Sequence, residues 1–445
     1  MTIESFRAAF GGRILLDGDE GFAAASYPAG APAVVVRPES VADVAAALAY
    51  ARENDLAVSV RSGGHSGGTW SSRSGGVDID MSGFADIDVD GTTVTVGTGA
   101  TWGVVAATLG DHGLALSSGD NKSVGVGGLT LGGGVGWLVR QYGLALDSLL
   151  SARLVSATGE LVTASADENP DLFWAIRGGG GNFGVAIDFT FRAHPLTGIV
   201  HGVITFDGAD LGAILRGYRD ALRGAPEELN VTFMLWPPMG PDMPGGPQLH
   251  VVYAAPDEAA AMEAAAPLLA IPGVSGHYIQ LKAYADALED PHPPEPGAPT
   301  PVVVGSNGWV QTLSDEVIDA IVMTMDATGD GGVLMIRYVG GAFNRVDPDA
   351  TAVAWRDAEA LVISFAFLPP DADAAAIALV DEAWAGTGAL THGTYGNFLG
   401  YAGERAVSLM YPPPVRDRLA AIKYRWDPQN LFSQNQNIAP VAPIS

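Results

Sequence analysis

The sequence contains no cysteine, which removes disulfides, thiolate metal sites, iron–sulfur clusters and cysteine nucleophiles together. Redox chemistry therefore requires a bound cofactor. Lysine is nearly absent, occurring only at Lys122, Lys282 and Lys423, and 23 basic residues face 50 acidic ones for a formal charge of -27. Such a field repels phosphate backbones and anionic lipid headgroups, so no nucleic acid and no membrane partner is expected. No apolar run approaches the roughly 20 residues of a membrane span, and MTIESFRAAF lacks a basic segment followed by an apolar one. A cytoplasmic protein is the expectation. What is present is core material: of 445 residues, 48% are hydrophobic and 16% charged. That length predicts two or three structural units of roughly 100 to 200 residues.

From Pro32 the text AVVVRPESVADVAAALAYARENDLAVSVRSGGHSGG reads as strand, helix, strand. Pro38, Glu39 and Ser40 give helix-start signals, and Val41, Val44, Ala45 and Leu48 recur at helical spacing. VDIDMSG and ADIDVDGTTVTVGTGA follow as strands, with a hairpin turn at Asp90-Gly91. A helix is predicted from about Thr101 to Leu109. The stretch SSGDNKSVGVGGLTLGGGVGWL is so rich in glycine that neither helix nor strand is expected to run through it. LLSARLVSATGELVTAS is a hairpin, and strand resumes before Pro195.

Beyond about Thr197 the texture changes to alternating strands (VHGVITF, NVTFMLW, LHVVYAA, LMIRYVGGAF, ALVISFAF) separated by helices such as Pro256 to Ala270 and Ser314 to Asp326. That pattern predicts an α+β unit, an antiparallel sheet covered by helices on one face. Proline-rich loops at 236–247 and 290–301 are expected as rigid rims.

Two glycine-rich segments carry the chemistry. RSGGHSGG, Arg61 to Gly68, follows a strand and sets one histidine among four glycines and two serines. Glycines allow backbone N–H groups to converge on phosphate oxygens, and the serines add hydroxyls. The second cluster, Gly125 to Gly136, has G-x-G spacing but lies well into the chain, after a hairpin and a helix. A Rossmann fingerprint belongs between the first strand and first helix of a βαβ unit, so that fold is disfavoured.

Five ordered motifs now stand together: VVVRPESVADV, VRSGGHSGG, SVGVGGLTLGGGVGWLVRQYGLALDSLLSARLVSATGELV, DLFWAIRGGGGNFGVAIDF and KYRWDPQNLFSQNQNIAP. They resemble the FAD-linked oxidase family of vanillyl-alcohol oxidase, berberine bridge enzyme and 6-hydroxynicotine oxidases. The resemblance implies a PCMH-type FAD-binding domain of two subdomains, split between residues 1–195 and 400–445, with an inserted α+β substrate domain at 196–399. It implies FAD joined through its 8α-methyl carbon to His65, whose flanking glycines leave the ring room to reach it. Arg61, Ser62, Gly63, Gly64, Ser66 and Gly67 then line the cofactor. Further contacts fall to Gly119, Asn121, Ser123, Val124, Gly125, Gly127, Gly128, Gly133, Gly134, Gly136, Gly184, Val185, Asn435 and Asn437.

Some relatives form a second bond through a cysteine before the V-G-V-G-G run; Asn121 stands there, so a single covalent link is expected, as in the 6-hydroxynicotine oxidase type. Val124 matches a position where oxygen-reactive relatives carry valine, which favours an oxidase.

Removal of a hydride needs a group that takes the substrate O–H or N–H proton. TYGNFLGY resembles the family strand Y-x-N-[YF] and nominates Tyr395, with Asn397 beside it. Arg337 and Tyr338 are the next candidates, and ALVISFAF carries no acid where berberine-bridge-type relatives place a glutamate. His112, His194 and His292 read as surface or capping residues, while His250 and His392 are weaker pocket candidates. The expected reaction is oxidation of a small alcohol, amine or sugar with O2 reduced to hydrogen peroxide. Trp236, Met239, Met243 and Trp309 lean towards an apolar substrate. A flavin dehydrogenase with another acceptor, and a flavin-binding protein without turnover, remain the alternatives.

Overall fold

The structure is a computed structural model that describes the chain except residues 26–30, 67–69, 71, 73, 209, 239–244, 291–300 and 443–445, and the side chains of 23 and 24. Among the described residues, three large sheets and one two-stranded pair, Leu114–Ala115 with His194–Pro195, build it. The first has the strand order Arg13–Leu15, Val34–Arg37, Val77–Asp80, Val58–Arg61, parallel over its last three strands. Parallel neighbours need a crossover, and the helix Val41–Glu53 supplies it. Its start is fixed by a reciprocal cap: Ser40 Oγ accepts the Asp43 N–H at 3.2 Å, and the Asp43 carboxylate accepts the Ser40 N–H at 3.0 Å. Val44, Ala47, Leu48 and Ala51 bury against Val34, Val36, Val58 and Val77. Each such valine or leucine contributes about 1.5–3 kcal/mol.

A five-stranded antiparallel sheet follows, ordered Ile87–Asp90, Thr93–Gly97, Val185–Arg192, Leu149–Val155, Leu161–Ser165. The expected hairpin turns at Gly91, whose φ of 58° suits glycine. The helix expected at 101–109 forms as Trp102–Asp111.

The third sheet has seven antiparallel strands, two more than the sequence pattern suggested: Val274–Lys282, Ile199–Phe206, Gly246–Tyr253, Leu229–Trp236, Gly332–Tyr338, Ala360–Leu368, Val302–Val310. The two additional strands are the edges: Val274–Lys282 has no buried residue, and Val302–Val310 is buried only over its last four, so neither shows a full buried-exposed alternation. Helices Leu211–Arg223 and Asp315–Thr328 cover one face, where Ile214, Leu215, Tyr218, Ile318 and Ile321 meet Ile204, Phe233 and Ile336. Trp137, Leu138, Met234 and Val252 pack on the other face. The chain end then turns back to the first two sheets: Phe432 joins the core of Val58, Ile79 and Val185, and Leu419 and Ile438 join that of Phe189 and Trp174.

The proline-rich loops expected at 236–247 and 290–301 lie mostly outside the described residues. Among those described, no helix is long and apolar enough to cross a membrane.

Candidate active site

A cavity of about 430 Å³ lies where the first sheet, the glycine-rich run, the third sheet and the returning tail converge. The Val58–Arg61 strand delivers Ser62 to Ser66 to its wall. Facing that loop is the second glycine segment, and the two touch backbone to backbone. A Cβ on Gly63 would stand 2.2 Å from Gly125 N, and one on Gly125 would stand 2.1 Å from Gly63 N. Ser62 Oγ stitches them, donating to the Thr98 carbonyl at 2.6 Å and accepting the Gly127 N–H at 3.2 Å.

The run does contain a helix, contrary to expectation: Val126–Gly132. Its glycines cost helix propensity, but buried Val126, Thr130 and Leu131 anchor it in the core, and tertiary packing decides. Gly133 and Gly134, at φ of 146° and 88°, then end it in conformations closed to other residues.

His65 lines the cavity with its ring exposed to that space, and Nε2 stands 2.7 Å from Ser123 Oγ. Burial among surrounding protein atoms holds its pKa below the ordinary imidazole value, so the ring is neutral near pH 7.

Tyr395 enters from the third-sheet side. It precedes a short 3₁₀ turn, Gly396–Phe398, and is not on a strand; Asn307 Oδ1 accepts its backbone N–H at 2.7 Å. The buried phenol oxygen accepts the Gly134 N–H at 2.7 Å and an Asn397 Nδ2–H at 2.9 Å. Burial pushes its pKa up to about 12, while Gly134, Asn397, the Val135 N–H and the Arg337 charge pull the other way.

Strand alternation separates the two remaining candidates. Successive side chains point to opposite faces, so Arg337 reaches the cavity and Tyr338 cannot. Tyr338 lies on the helix-covered face, packed edge-on against Tyr218 and donating to Glu359 Oε1 at 3.1 Å. Arg337 Nη1 donates to Asp120 Oδ1 at 2.9 Å and Nη2 to Oδ2. Burial opposes its charge, but Asp120 outweighs that and holds the guanidinium pKa above its ordinary value.

The other expected contacts divide in two. Ser62, Gly63, Gly64 and Ser66 line the cavity, as do Gly119, Asn121, Val124, Gly125, Gly127, Gly128, Gly184 and Asn435. Arg61, Ser123, Gly133, Gly134, Gly136, Val185 and Asn437 stand behind it. Arg61 is tied to Asp80 at 2.9 Å, and a Cβ on Gly136 would meet the Ser118 carbonyl at 2.2 Å. Gly67 falls outside the described residues.

Sequence reasoning missed Asp120, Glu289, Met335 and Phe398, all in the wall. Only Asp120 left a trace, as the one acid inside the glycine-rich run. His194 is not a surface residue but stacks on Tyr142 at 4.0 Å and meets Ser148 Oγ at 3.0 Å. His112 caps a helix as expected, and His292 is outside the described residues. His250 and His392 do not line the cavity; nor do Trp236 and Trp309, which pack on Phe365 and Phe343. Met239 and Met243 are outside the described residues.

Residues 32–165 match the family described as FAD binding domain, and residues 416–439 that described as berberine and berberine like. The chain is 30% identical over 453 residues to the xylooligosaccharide oxidase of Thermothelomyces thermophilus, an alignment covering 92% of this chain and 87% of that protein. The chain belongs to the FAD-linked oxidoreductases. Within that family it is 29% identical to the (R)-6-hydroxynicotine oxidase of Paenarthrobacter nicotinovorans, over 92% of this chain and 91% of that one. Its structure superposes on Physcomitrella patens BBE-like 1 with a TM-score of 0.89 at 25% identity, covering 100% of both chains.

As in other FAD-linked oxidoreductases the cofactor is FAD, and the cavity's own features fit it. Gly128 and Gly180 line the wall with nothing within 4 Å of where a Cβ would stand, so backbone is laid open to an occupant. Asn435 Oδ1 is buried in the same wall with no hydrogen-bond partner among the described residues.

Proposed function

We propose that the protein is an FAD-dependent oxidase that takes a hydride from a carbon bearing an alcohol, amine or sugar hydroxyl, with Tyr395 receiving the proton. The observation that carries this reading is the pairing, in one cavity wall, of His65 with a buried tyrosine whose oxygen already holds two N–H donors. The chemistry supplied by bound FAD is acceptance of a hydride and its delivery to dioxygen, which leaves as hydrogen peroxide.

The protein's own part is binding and proton handling. Ser62 to Ser66, the glycine run, Gly184 and Asn435 hold the cofactor, and His65 forms the single covalent link, Asn121 offering no thiol for another. With two donors on its oxygen, neutral Tyr395 has only its own proton left to offer. The phenolate keeps a lone pair for the substrate proton, and the same two donors stabilise it. Arg337 adds positive charge, moderated by Asp120. Val124, half-buried in the wall, leaves space for dioxygen.

A panel of alcohols, amines and sugars, followed by peroxide release, identifies the substrate. Acid precipitation keeps the flavin with the wild-type pellet and releases it from His65→Ala. No peroxide from any substrate, with a flavin that none of them bleaches under anaerobic conditions, would remove the oxidase reading.

A further inference from the structure

Arg337 is the one permanent cation among the described residues that line the cavity. A planar guanidinium presents two parallel N–H donors, the geometry that a carboxylate fits best, so a lone arginine in such a wall would select acids. Here the fork is already occupied. Nη1 donates to Asp120 Oδ1 at 2.9 Å and Nη2 to Asp120 Oδ2, and the two side chains are only 5% and 9% exposed. An Nη2 N–H also meets Met335 Sδ at 3.2 Å, and the Trp137 and Phe398 rings flank the group with centroids 6.0 and 5.9 Å from Cζ.

Asp120 is not free to swing away. The Glu289 N–H donates to the Asp120 carbonyl at 2.6 Å, and the Lys122 N–H donates to the Glu289 carbonyl at 2.9 Å, so its backbone is fastened on both sides. Stability alone does not call for such a pair. A buried ion pair gains little over apolar side chains of similar volume, whereas loss of one partner leaves an uncompensated charge. Met335, two residues earlier on the same face of the strand, shows that this wall accommodates an apolar side chain.

We propose that Asp120 is a specificity-determining residue: it occupies the Arg337 fork as a substrate carboxylate would, and so bars 2-hydroxy acids and amino acids from the site. Substrates are confined to alcohols, amines or sugars with no carboxylate beside the carbon to be oxidised. An entering acid would have to displace a carboxylate bonded at both oxygens, next to Glu289, a second acid in the same wall. The inference rests on the proposed oxidase reading, which places the substrate in this cavity.

The test uses the full-length, FAD-bound protein with acetate as the probe, followed by calorimetry and by the flavin absorption spectrum at pH 7. Wild type should show no saturable binding. Asp120→Ala empties the fork and should bind acetate at least about tenfold more tightly, the worth of one hydrogen bond between charged groups. Asp120→Asn, uncharged but still filling the space, should gain less. Asp120→Ala combined with Arg337→Met should bind no better than wild type, which ties the gain to the guanidinium. If Asp120→Ala does not retain FAD, acetate in the purification buffer should restore retention by filling the same fork, and failure to do so overturns the inference. It is equally overturned by an Asp120→Ala protein that retains FAD without binding acetate more tightly, or by a wild type that oxidises a 2-hydroxy acid as fast as its amide. The acetate readouts are of binding, so a protein that releases no peroxide from any substrate fails the oxidase reading without deciding this one.

Discussion

Tyr395 is under opposed pressures: burial favours the neutral phenol, while two N–H donors and a nearby guanidinium favour the phenolate. Burial prevails without ligand, so the pKa lies above the ordinary phenol value and the base form grows as pH rises. We expect kcat/KM to climb through the alkaline range without a plateau below pH 10. Asn397→Leu removes a donor worth about 1.5–3 kcal/mol to a charged acceptor, moving the limb up by about one to two pH units. Tyr395→Phe should abolish the limb and cost about 10²- to 10⁴-fold in rate. A profile unchanged in Tyr395→Phe assigns the proton elsewhere. Val124 is tested separately: Val124→Leu should slow reoxidation of substrate-reduced flavin by air in stopped flow, and equal rates would dismiss a gating role.

At the scale of elements, glycines of the two facing segments serve two different ends. Gly63 and Gly125 are glycine because their backbones touch, whereas Gly128 is open on the cavity side. Gly63→Ala forces a methyl against backbone and should lower the melting temperature of the FAD-free protein, at a cost of about 1–3 kcal/mol. Gly128→Ala should leave that temperature nearly unchanged and weaken FAD binding instead. Equal effects on both measurements would mean that the two positions share one role. The strand Gly332–Tyr338 shows the same division by side: one residue's difference in position sends Arg337 to the cavity and Tyr338 to the helix layer.

Across the whole molecule, buried charges join parts of the chain that are distant in sequence. Arg356 donates to both Asp147 oxygens at 2.8 and 2.7 Å, and Arg140 reaches the carbonyls of Ala225 and Pro226. Lys423, fully buried with Asp427, donates to the Asn182 and Phe432 carbonyls and ties down the returning tail. Two histidines between the units set an acid limit. Burial lowers His250 to about 4 and, aided by Lys282, His201 to about 4. Both are neutral above the ordinary imidazole pKa, so they are silent at pH 7. As pH falls from about 6.5 towards 4 the unfolded chain takes up their protons first, and stability declines by on the order of 3 kcal/mol per histidine at most. Urea unfolding of the FAD-bound protein at pH 7, 5.5 and 4.5 should show this loss, with a smaller slope in His250→Gln. Equal slopes would place the acid limit elsewhere.

The sequence by itself determined the local chemistry: the absence of thiols, the helix start around Ser40, the Asp90-Gly91 hairpin, and glycines around His65 that only close backbone approach requires. These are short-range consequences of side-chain size and backbone freedom, legible without neighbours. Only the tertiary structure decided which residues share a wall. Asp120 drew no reading from the sequence, because Arg337, to which it is bonded, lies 217 residues away. Tyr395 acquired one of its two donors from a helix end 261 residues earlier. The single link through His65 began as an inference from a missing cysteine at Asn121. The fold sets the Asn121 amide oxygen, the Ser123 hydroxyl and the His65 imidazole in line there, because only packing could bring the three together.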